Sequence, residues 1–339
     1  MKPNNILSSA IPLVAIIGPT AVGKTGLVLE LAAGLNAEVI SVDSMQVYRY
    51  LNIGTAKPTT AEMQGVRHHL LDLVNPDEDY HVGRFVVDAE KACQEISGRR
   101  RLPILTGGTG LYLRSFQDGL FSMETGNLNG GMIDPGAEKI RTELKTALLE
   151  QGRDVLHARL AEIDPVSAAR IHPNDTSRLL RGLEVYELSG RPWSAQLDRH
   201  EIADNPKEAR KSILKIGLMV DRENLYERIN RRTAQMLDGG LIEEIEALLA
   251  MGFGRELKPM QALGYRHGLE FLAGVRDQKE TLRLMAQDTR HYAKRQLTWF
   301  RRDPEINWFR PEQIREIRTL IAEYLDRNLP ISTLSRQDT

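Results

Sequence analysis

The feature that most constrains this chain is a match to the pattern G-x-x-x-x-G-K-[ST], which reads Gly18-Pro19-Thr20-Ala21-Val22-Gly23-Lys24-Thr25. In this pattern backbone N–H groups surround a phosphate, and the lysine adds a positive charge. An apolar run at 12–17 is typical of a buried strand, and leucines then recur at every fourth position (27, 31 and 35), as on one helix face. A plain glycine turn would require neither Lys24 nor Thr25. The pattern therefore predicts a strand, a phosphate-binding loop and a helix, in that order.

Length and composition limit the class of protein. With 339 residues, 41% hydrophobic and 27% charged, the chain is expected to form one large domain with an insertion, or two domains. Its one cysteine, Cys93, excludes an intramolecular disulfide and a cysteine-cluster metal site. The first ten residues are polar and the next apolar run has only the length of a strand, so we expect neither a secretory signal nor a membrane span. A cytoplasmic protein is expected.

Charge is balanced over the whole chain but not locally. The formal net charge of −1 gives no sign of a basic nucleic-acid-binding domain. Between positions 283 and 302, however, there are six Lys or Arg residues and one acidic residue, Asp288, which gives this segment a net charge of +5. Tyr292, Trp299 and Phe300 are interleaved with these cations. The segment is a candidate surface for a polyanion.

Asp43 directly follows a second short apolar run at 37–42. In open α/β sheets the chemistry lies at the carboxyl ends of the strands, and Asp43 is expected at such an end. Three roles are compatible with its position: a helix cap, a ligand of magnesium, and a group that acts on the substrate. The residues alone leave all three open.

Further strands are predicted at 102–105, 213–220 and 306–309. The adjacent His68 and His69 point in different directions on any regular element, which favours packing or polar contacts over a shared metal. The basic run 99–101 is expected to be a solvated turn.

A second glycine-rich turn, Thr106-Gly107-Gly108-Thr109-Gly110, follows the predicted strand at 102–105. Glycines after a strand let the backbone approach a ligand closely, and Thr109 adds a hydroxyl. Together with the first loop, this turn suggests that two loops close over one anionic substrate, with Thr109 donating to a phosphate or bridging oxygen.

The middle of the chain differs in composition. Segment 119–131 is rich in Gly and Asn and predicts a linker, and the region from 134 to about 197 is mostly helical by pattern. We therefore expect an α/β fold with a P-loop NTPase-like core, whose parallel sheet is flanked by helices and interrupted by a mostly helical insertion domain. The expected parts are a first core segment at 1–119, the insertion at 120–205, a second core segment at 206–310, and a C-terminal helix and tail at 311–339.

Several motifs in this order resemble the tRNA dimethylallyltransferase, or isopentenyl-tRNA transferase, family. The most specific are Asp-Ser-Met-Gln-Val-Tyr at 43–48, Gly-Thr-Ala-Lys-Pro at 54–58 and Ala-Lys-Arg-Gln-Leu-Thr-Trp-Phe-Arg at 293–301. The resemblance spans most of positions 12 to 310. It implies transfer of a dimethylallyl group from dimethylallyl diphosphate to N6 of the adenosine at tRNA position 37, beside the anticodon.

The same resemblance implies roles for individual residues. Asp43 takes a proton from the adenine amine, Thr109 steadies the diphosphate, Lys24 acts as a point charge and Thr25 binds Mg²⁺, the implied cofactor. Arg228 and Arg232, four apart in a predicted helix, are placed near the diphosphate. The tRNA, bound through its anticodon loop, is assigned to the following residues: Asp43, Ser44, Met45, Gln46, Arg141, Ser177, Arg178, Leu179, Leu180, Arg181, Gly264, Tyr265, Arg266, Thr289, Arg290, Lys294, Arg295 and Gln296. The resemblance also suggests a monomer.

Three alternative functions are compatible with the phosphate loop. An isopentenyltransferase acting on free adenine nucleotides would not need the insertion or the basic segment 283–302. A small-molecule kinase would transfer a phosphoryl group from ATP. A non-catalytic RNA-binding module would use the loop as a nucleotide switch.

Overall fold

The computed structural model describes residues 11–119, 135–195 and 210–328. The polar start at 1–10, almost all of the expected linker 119–131 and the expected boundary at 205 lie outside these ranges. The chain divides into two compact units, 1–118 with 211–339, and 119–210. The insertion expected at 120–205 falls within the second unit. We call the first unit the core unit and the second the helical unit.

Six parallel strands form the sheet of the core unit, in the order β3-β2-β4-β1-β5-β6. The strands are β1 (Leu13–Ile17), β2 (Ala37–Val42), β3 (His68–His69), β4 (Leu102–Gly107), β5 (Ile213–Leu218) and β6 (Asn307–Phe309). Five of them confirm predicted strands, with ends shifted by up to two residues. The two-residue β3 was not predicted, because two histidines carry no apolar pattern.

Twelve α-helices are described in these ranges. They are α1 (Lys24–Gly34), α2 (Val82–Gly98), α3 (Gly110–Asp118), α4 (Pro135–Gln151), α5 (Arg153–Ile163), α6 (Pro165–Arg170), α7 (Thr176–Ser189), α8 (Arg222–Asp238), α9 (Leu241–Ala250), α10 (Leu263–Leu272), α11 (Gln278–Phe300) and α12 (Ile314–Asn328). Four of them, α4 to α7, belong to the helical unit. No helix in the described part of the chain is both long and apolar enough to cross a bilayer.

The core of the first unit forms around the central strand β1, whose five residues are all buried. Leu27, Val28 and Leu31 of α1 pack in the same cluster, so the predicted strand-loop-helix order is confirmed. Side chains of α8, α11 and α12 complete this cluster. The continuous apolar composition of β1 is what a parallel strand covered on both faces requires.

The helical unit has a separate small core, to which Leu144, Leu160, Leu179 and Leu183 contribute. A buried carboxylate also holds it together. Asp164 accepts hydrogen bonds from Ser167 N (3.0 Å), Ser194 N (2.9 Å) and Ser194 Oγ (2.6 Å). Asp164 therefore caps α6 and attaches the segment after α7 to it.

The basic turn at 99–101 is exposed, as expected, and it also carries ion pairs that the sequence did not indicate. Glu38 of β2 is buried, and Arg99 donates two hydrogen bonds to its carboxylate at 2.9 and 2.7 Å. His69 Nε2 lies 2.6 Å from Glu38 Oε2, which confirms a polar contact in place of a metal site for this histidine. A carboxylate buried in a sheet requires such partners, and they come from positions 31 and 61 residues away.

These contacts predict a pH-dependent contribution of Glu38 to stability. Burial opposes ionisation, but hydrogen bonds from Arg99 and His69 outweigh it and lower the Glu38 pKa to about 2. The stabilisation is therefore complete above the ordinary glutamate pKa and is lost as the pH falls from about 4.5 towards 2. In chemical denaturation at pH 7, Glu38→Gln should lower the free energy of unfolding by about 2 kcal/mol. The difference from wild type should shrink below pH 4.5, and a pH-independent difference would contradict the assignment.

Candidate active site

Three strands end together at one edge of the sheet. Ile17 of β1 and Val42 of β2 both pair with Gly107 of β4. The segments that follow these residues are the phosphate loop, the turn beginning at Asp43 and the second glycine-rich turn. From β1 the chain continues to β2 and β3 on one side of the sheet, and from β4 it crosses β1 to β5 on the other side. The direction in which strands are added therefore changes between β4 and β1. Ligands of open α/β sheets bind at this kind of position.

The phosphate loop ends at Gly23, which precedes the first residue of α1. Its φ of 109° lies in the left-handed region, where a side chain would be strained. Gly23 thus lets the loop turn sharply into the helix. Lys24 and Thr25 begin the helix, so the partial positive charge of its N-terminus adds to that of the lysine.

Lys24 is held inside the loop. Its Nζ donates to Gly18 O at 2.9 Å and to Pro19 O at 2.8 Å. Burial and, to a smaller extent, the charge of Arg232 lower the pKa of Lys24 to about 7, although Asp43 opposes the change. The ammonium form of Lys24 is therefore costly until an anion is present.

Two arginines of α8 lie against the same loop. Arg228 Nη1 donates to Val22 O at 3.0 Å, and Arg232 Nη1 donates to Thr20 Oγ1 at 3.1 Å. Residues four apart on a helix share a face, so both guanidinium groups come from one side. With Lys24, they concentrate three cationic side chains around the phosphate loop.

Asp43 begins the turn after β2. Its Oδ1 accepts from Met45 N at 2.8 Å and from Gln46 N at 3.3 Å, the pattern of an aspartate that caps a turn. In the described ranges no hydrogen bond engages Oδ2. Turn residues and not a helix follow Asp43, so the helix-cap role is not observed; Oδ1 caps the turn, and the other oxygen can interact with a substrate.

Gln296 of α11 joins the two glycine-rich loops. Its Oε1 accepts from Thr20 N at 2.9 Å, and its Nε2 donates to Gly108 O at 3.0 Å. The side chain is buried. Gln296 thus fixes the distance between loops that follow neighbouring strands.

Thr109 has an unsatisfied hydroxyl. Its Oγ1 is buried and has no hydrogen-bond partner in the described part of the protein. A buried hydroxyl without a partner costs free energy, so a partner supplied by a ligand fits this position.

These elements surround a cavity of about 760 Å³ within the core unit. The following expected site residues line it: Thr20, Ala21, Val22, Gly23, Lys24, Thr25, Asp43, Ser44, Met45, Gln46, Arg228, Arg232, Gly264, Thr289, Arg295 and Gln296. Neighbouring residues that the sequence did not single out for the site also line it: Arg231, Met236, Met285 and Tyr292. The sequence could have indicated two of these residues. Arg231 is adjacent to the expected Arg232, and Tyr292 lies within the basic segment 283–302.

Other expected residues of the core unit do not line the cavity. Gly18 and Pro19 accept the Lys24 hydrogen bonds, and Thr109 lies next to the lining residue Gly108. Tyr265 is completely buried, so its side chain packs inside the protein and does not offer a surface to tRNA. Arg266 pairs with Asp288 at 2.7 Å.

The basic segment keeps exposed cations. Arg290 donates to Asn230 Oδ1 and lies over the ring of Tyr226 at 5.7 Å, while Lys294 is exposed.

The expected residues of the helical unit differ in exposure. Ser177 and Arg178 are exposed, and Arg178 pairs with Asp175 at 2.7 Å. Leu179 is buried in the core of this unit, and Leu180 packs against that core, so the Leu179 side chain stabilises the helices and is not placed to contact tRNA.

Two arginines of this unit share one buried partner. Arg141 donates to Glu184 Oε1 at 2.5 Å and Arg181 donates to Glu184 Oε2 at 2.8 Å. Glu184 therefore fixes the direction of both guanidinium groups.

The fold and the cavity define a class: an α/β protein with a P-loop NTPase-like core and a phosphate-binding loop at the carboxyl edge of its sheet. Comparisons with known proteins specify the family. The family model described as IPP transferase matches residues 46–303. The chain belongs to this family, whose members include the tRNA dimethylallyltransferases.

Curated relatives agree with the family model. A tRNA dimethylallyltransferase of Desulfitobacterium hafniense strain Y51 is 47% identical over 298 residues, covering 88% of this chain and 91% of the relative. One from Desulfotalea psychrophila is 44% identical over 318 residues, covering 94% and 97%.

Solved structures agree as well. The tRNA isopentenylpyrophosphate transferase of Bacillus halodurans has a TM-score of 0.66 at 41% identity, covering 94% of this chain and 97% of that one. A eukaryotic dimethylallyltransferase solved while acting on tRNA has a TM-score of 0.75 at 27% identity, covering 95% and 81%.

The environment of Lys24 predicts proton uptake when an anion binds. Because its pKa is about 7, Lys24 is roughly half protonated at pH 7, and a bound diphosphate restores the ammonium form. Calorimetric titration with pyrophosphate in buffers of different ionisation enthalpy should show uptake of about half a proton by Lys24 at pH 7. Affinity should fall as the pH rises through 7. Lys24→Met lacks the titrating amine, so its proton uptake measures the contribution of the ligand itself. Equal proton uptake in both proteins would refute the assignment of this uptake to Lys24.

Proposed function

We propose that this chain transfers the dimethylallyl group of dimethylallyl diphosphate to N6 of the adenosine at tRNA position 37, next to the anticodon, and releases diphosphate. The observation that carries the proposal is that three cationic side chains around the phosphate loop and the carboxylate of Asp43 border one cavity. A cation cluster suits a leaving diphosphate, and a carboxylate beside it suits a nucleophile that must lose a proton. The names of the relatives support tRNA as the acceptor and dimethylallyl as the transferred group.

The phosphate side of the cavity would bind the donor. Lys24, Arg228 and Arg232 lie around the phosphate loop, whose free backbone N–H groups would also bind the anion. They neutralise the charge that develops on the diphosphate as its carbon–oxygen bond breaks. Because the bond that breaks is to carbon, the loop holds a leaving group, and no phosphoryl group is transferred.

Magnesium fits this arrangement with few protein ligands. Thr25 lines the cavity and offers a hydroxyl, and diphosphate oxygens would supply most of the remaining ligands. The described ranges contain no group of three or more His, Cys, Asp or Glu side chains that could bind a metal alone. A bound Mg²⁺ would offset the charge of the leaving diphosphate.

The acceptor side of the cavity would position the adenine. The N6 lone pair attacks the allylic carbon, the carbon–oxygen bond breaks, and the nitrogen becomes acidic as it gains positive charge. Asp43 then takes the surplus proton through the oxygen that the turn does not use. Since the exocyclic amine of adenine is a weak nucleophile, positioning and leaving-group neutralisation provide most of the acceleration.

Access of the adenine requires that it leave its stack. Unstacking costs a few kcal/mol, which contacts to the opened anticodon loop offset. We assign these contacts to exposed or half-buried groups: Ser177, Arg178 and the two arginines on Glu184 in the helical unit, and Arg290, Lys294 and Arg295 on α11. We further propose that the protein acts as a monomer in the cytoplasm, where tRNA is modified.

The first test is mass spectrometry of nucleosides after incubation with dimethylallyl diphosphate and Mg²⁺. Dimethylallyladenosine should appear in tRNA but not with free AMP, and ATP should not donate a phosphoryl group. Asp43→Asn keeps the acceptor of the turn but removes the base, so it should lower kcat by about 10²- to 10⁴-fold. Exposed Asp77→Asn is the matched control. Wild-type turnover in Asp43→Asn would eliminate the base role.

Thr109 allows a separate test of the diphosphate contact. Thr109→Val removes the hydroxyl but keeps the shape, so it should leave the unfolding temperature unchanged or raise it, because the hydroxyl has no partner. Turnover should nevertheless fall about tenfold or more. Thr109→Ser should retain activity. Normal donor kinetics in Thr109→Val would remove Thr109 from the site.

A further inference from the structure

The carboxylate of Glu244, on α9, binds four donors at once. Its oxygens accept from Asn52 N at 3.0 Å, Ile53 N at 2.9 and 3.1 Å, and Gly54 N at 3.3 Å. The hydroxyl of Tyr265 donates to Oε1 at 2.6 Å. Three consecutive N–H groups and a buried phenol thus converge on one side chain, which comes from 190 positions later in the chain.

The segment that Glu244 holds leads directly into the cavity wall. Gly54, Thr55 and Ala56 line the cavity. Gln46 Nε2 donates to Thr55 O at 3.3 Å and to Ala56 O at 3.2 Å, and its backbone N donates to Asp43 Oδ1. Hydrogen bonds therefore connect Glu244 through this segment to the turn that orients Asp43.

Close packing reinforces this connection. A Cβ on Gly54 would lie 2.5 Å from the ring of Tyr265, so the backbone must rest directly on the ring. Burial raises the pKa of Tyr265, as does the neighbouring Glu244, so its hydroxyl stays protonated and continues to donate. The Tyr265 ring packs against Gly54 while its hydroxyl donates to Glu244, so the position of the ring depends on that of the Glu244 carboxylate.

A buried cation holds the other end of the same segment. Lys57 Nζ donates to Tyr48 O at 2.7 Å and to Asp72 Oδ1 at 2.6 Å. An anion thus holds the N–H groups at 52–54, and Lys57 anchors the end of the segment to Tyr48 and Asp72. The phosphate loop at 18–25 contributes no partner to either set among the described residues.

We propose that Glu244 is a positioning residue for the acceptor side of the cavity. It does not touch the reacting atoms; it fixes segment 52–56 and, through Gln46, the orientation of Asp43 towards the adenine amine. The proposal rests on the proposed prenyl transfer. Its distinctive consequence is that loss of Glu244 harms the acceptor step while diphosphate binding by the phosphate loop is retained.

The test compares Glu244→Gln with Glu246→Gln, which makes the same charge change at an exposed position of the same helix. Glu244→Gln should bind pyrophosphate with wild-type affinity but lose about 10- to 100-fold in kcat/KM for tRNA. Amide hydrogen exchange should accelerate about tenfold or more at 52–54 and not at 18–25. Tyr265→Phe removes one of four donors, keeps the ring and should give a smaller loss.

Two results would overturn the proposal: turnover of Glu244→Gln equal to that of Glu246→Gln, or equal losses of diphosphate and tRNA binding. If Glu244→Gln does not fold, the same comparison is made with Tyr265→Phe, where unchanged exchange at 52–54 together with unchanged turnover counts against it. Hydrogen exchange and pyrophosphate binding do not depend on catalysis. A wild-type protein without prenyl transfer would therefore reject the proposed function, while those two measurements would still report on the Glu244 contacts.

Discussion

The site depends on the parallel pairing of β1, β4 and β2, which brings Ile17, Gly107 and Val42 to one level of the sheet. Each strand ends in a segment that the cavity needs. The phosphate loop follows β1, the Asp43 turn follows β2, and the turn with Thr109 follows β4. A shift of register by one residue would exchange the faces of every side chain in a strand, so the buried apolar residues of these strands also fix the position of the site.

Charge is distributed unevenly around the cavity. Lys24, Arg228 and Arg232 surround the phosphate loop, and burial makes the charged form of Lys24 costly. Inside a protein such cations interact with an anion more strongly than they would in water. In the proposed reaction this stabilisation is greatest when the diphosphate leaves, because its negative charge increases at that point.

Much of this arrangement could be predicted from the sequence because it is local. The phosphate loop occupies eight consecutive residues, and Asp43 follows its strand directly. The contacts that sequence patterns missed join distant positions. Gln296 meets Thr20 from 276 positions away, and Arg99 reaches Glu38 across 61. Glu244 stands in a helix where an acidic residue is ordinarily exposed, and only the fold brings it to three N–H groups. Tyr265 and Leu179 were expected at an RNA surface because motif matching does not separate packing residues from contacting ones.

The two sides of the cavity are built differently. The phosphate side combines a local motif, the loop and the helix that follows it, with two arginines on one face of α8 that contact the loop from 206 and 212 positions away. The acceptor side consists of the Asp43 turn and segment 52–58. N–H groups of this segment donate to Glu244 of α9, and its buried Lys57 donates to Tyr48 and Asp72. Gln296 is the described link between the two glycine-rich loops. The phosphate loop itself is therefore a local motif, whereas the arginines beside it and the whole acceptor side depend on contacts between residues far apart in sequence.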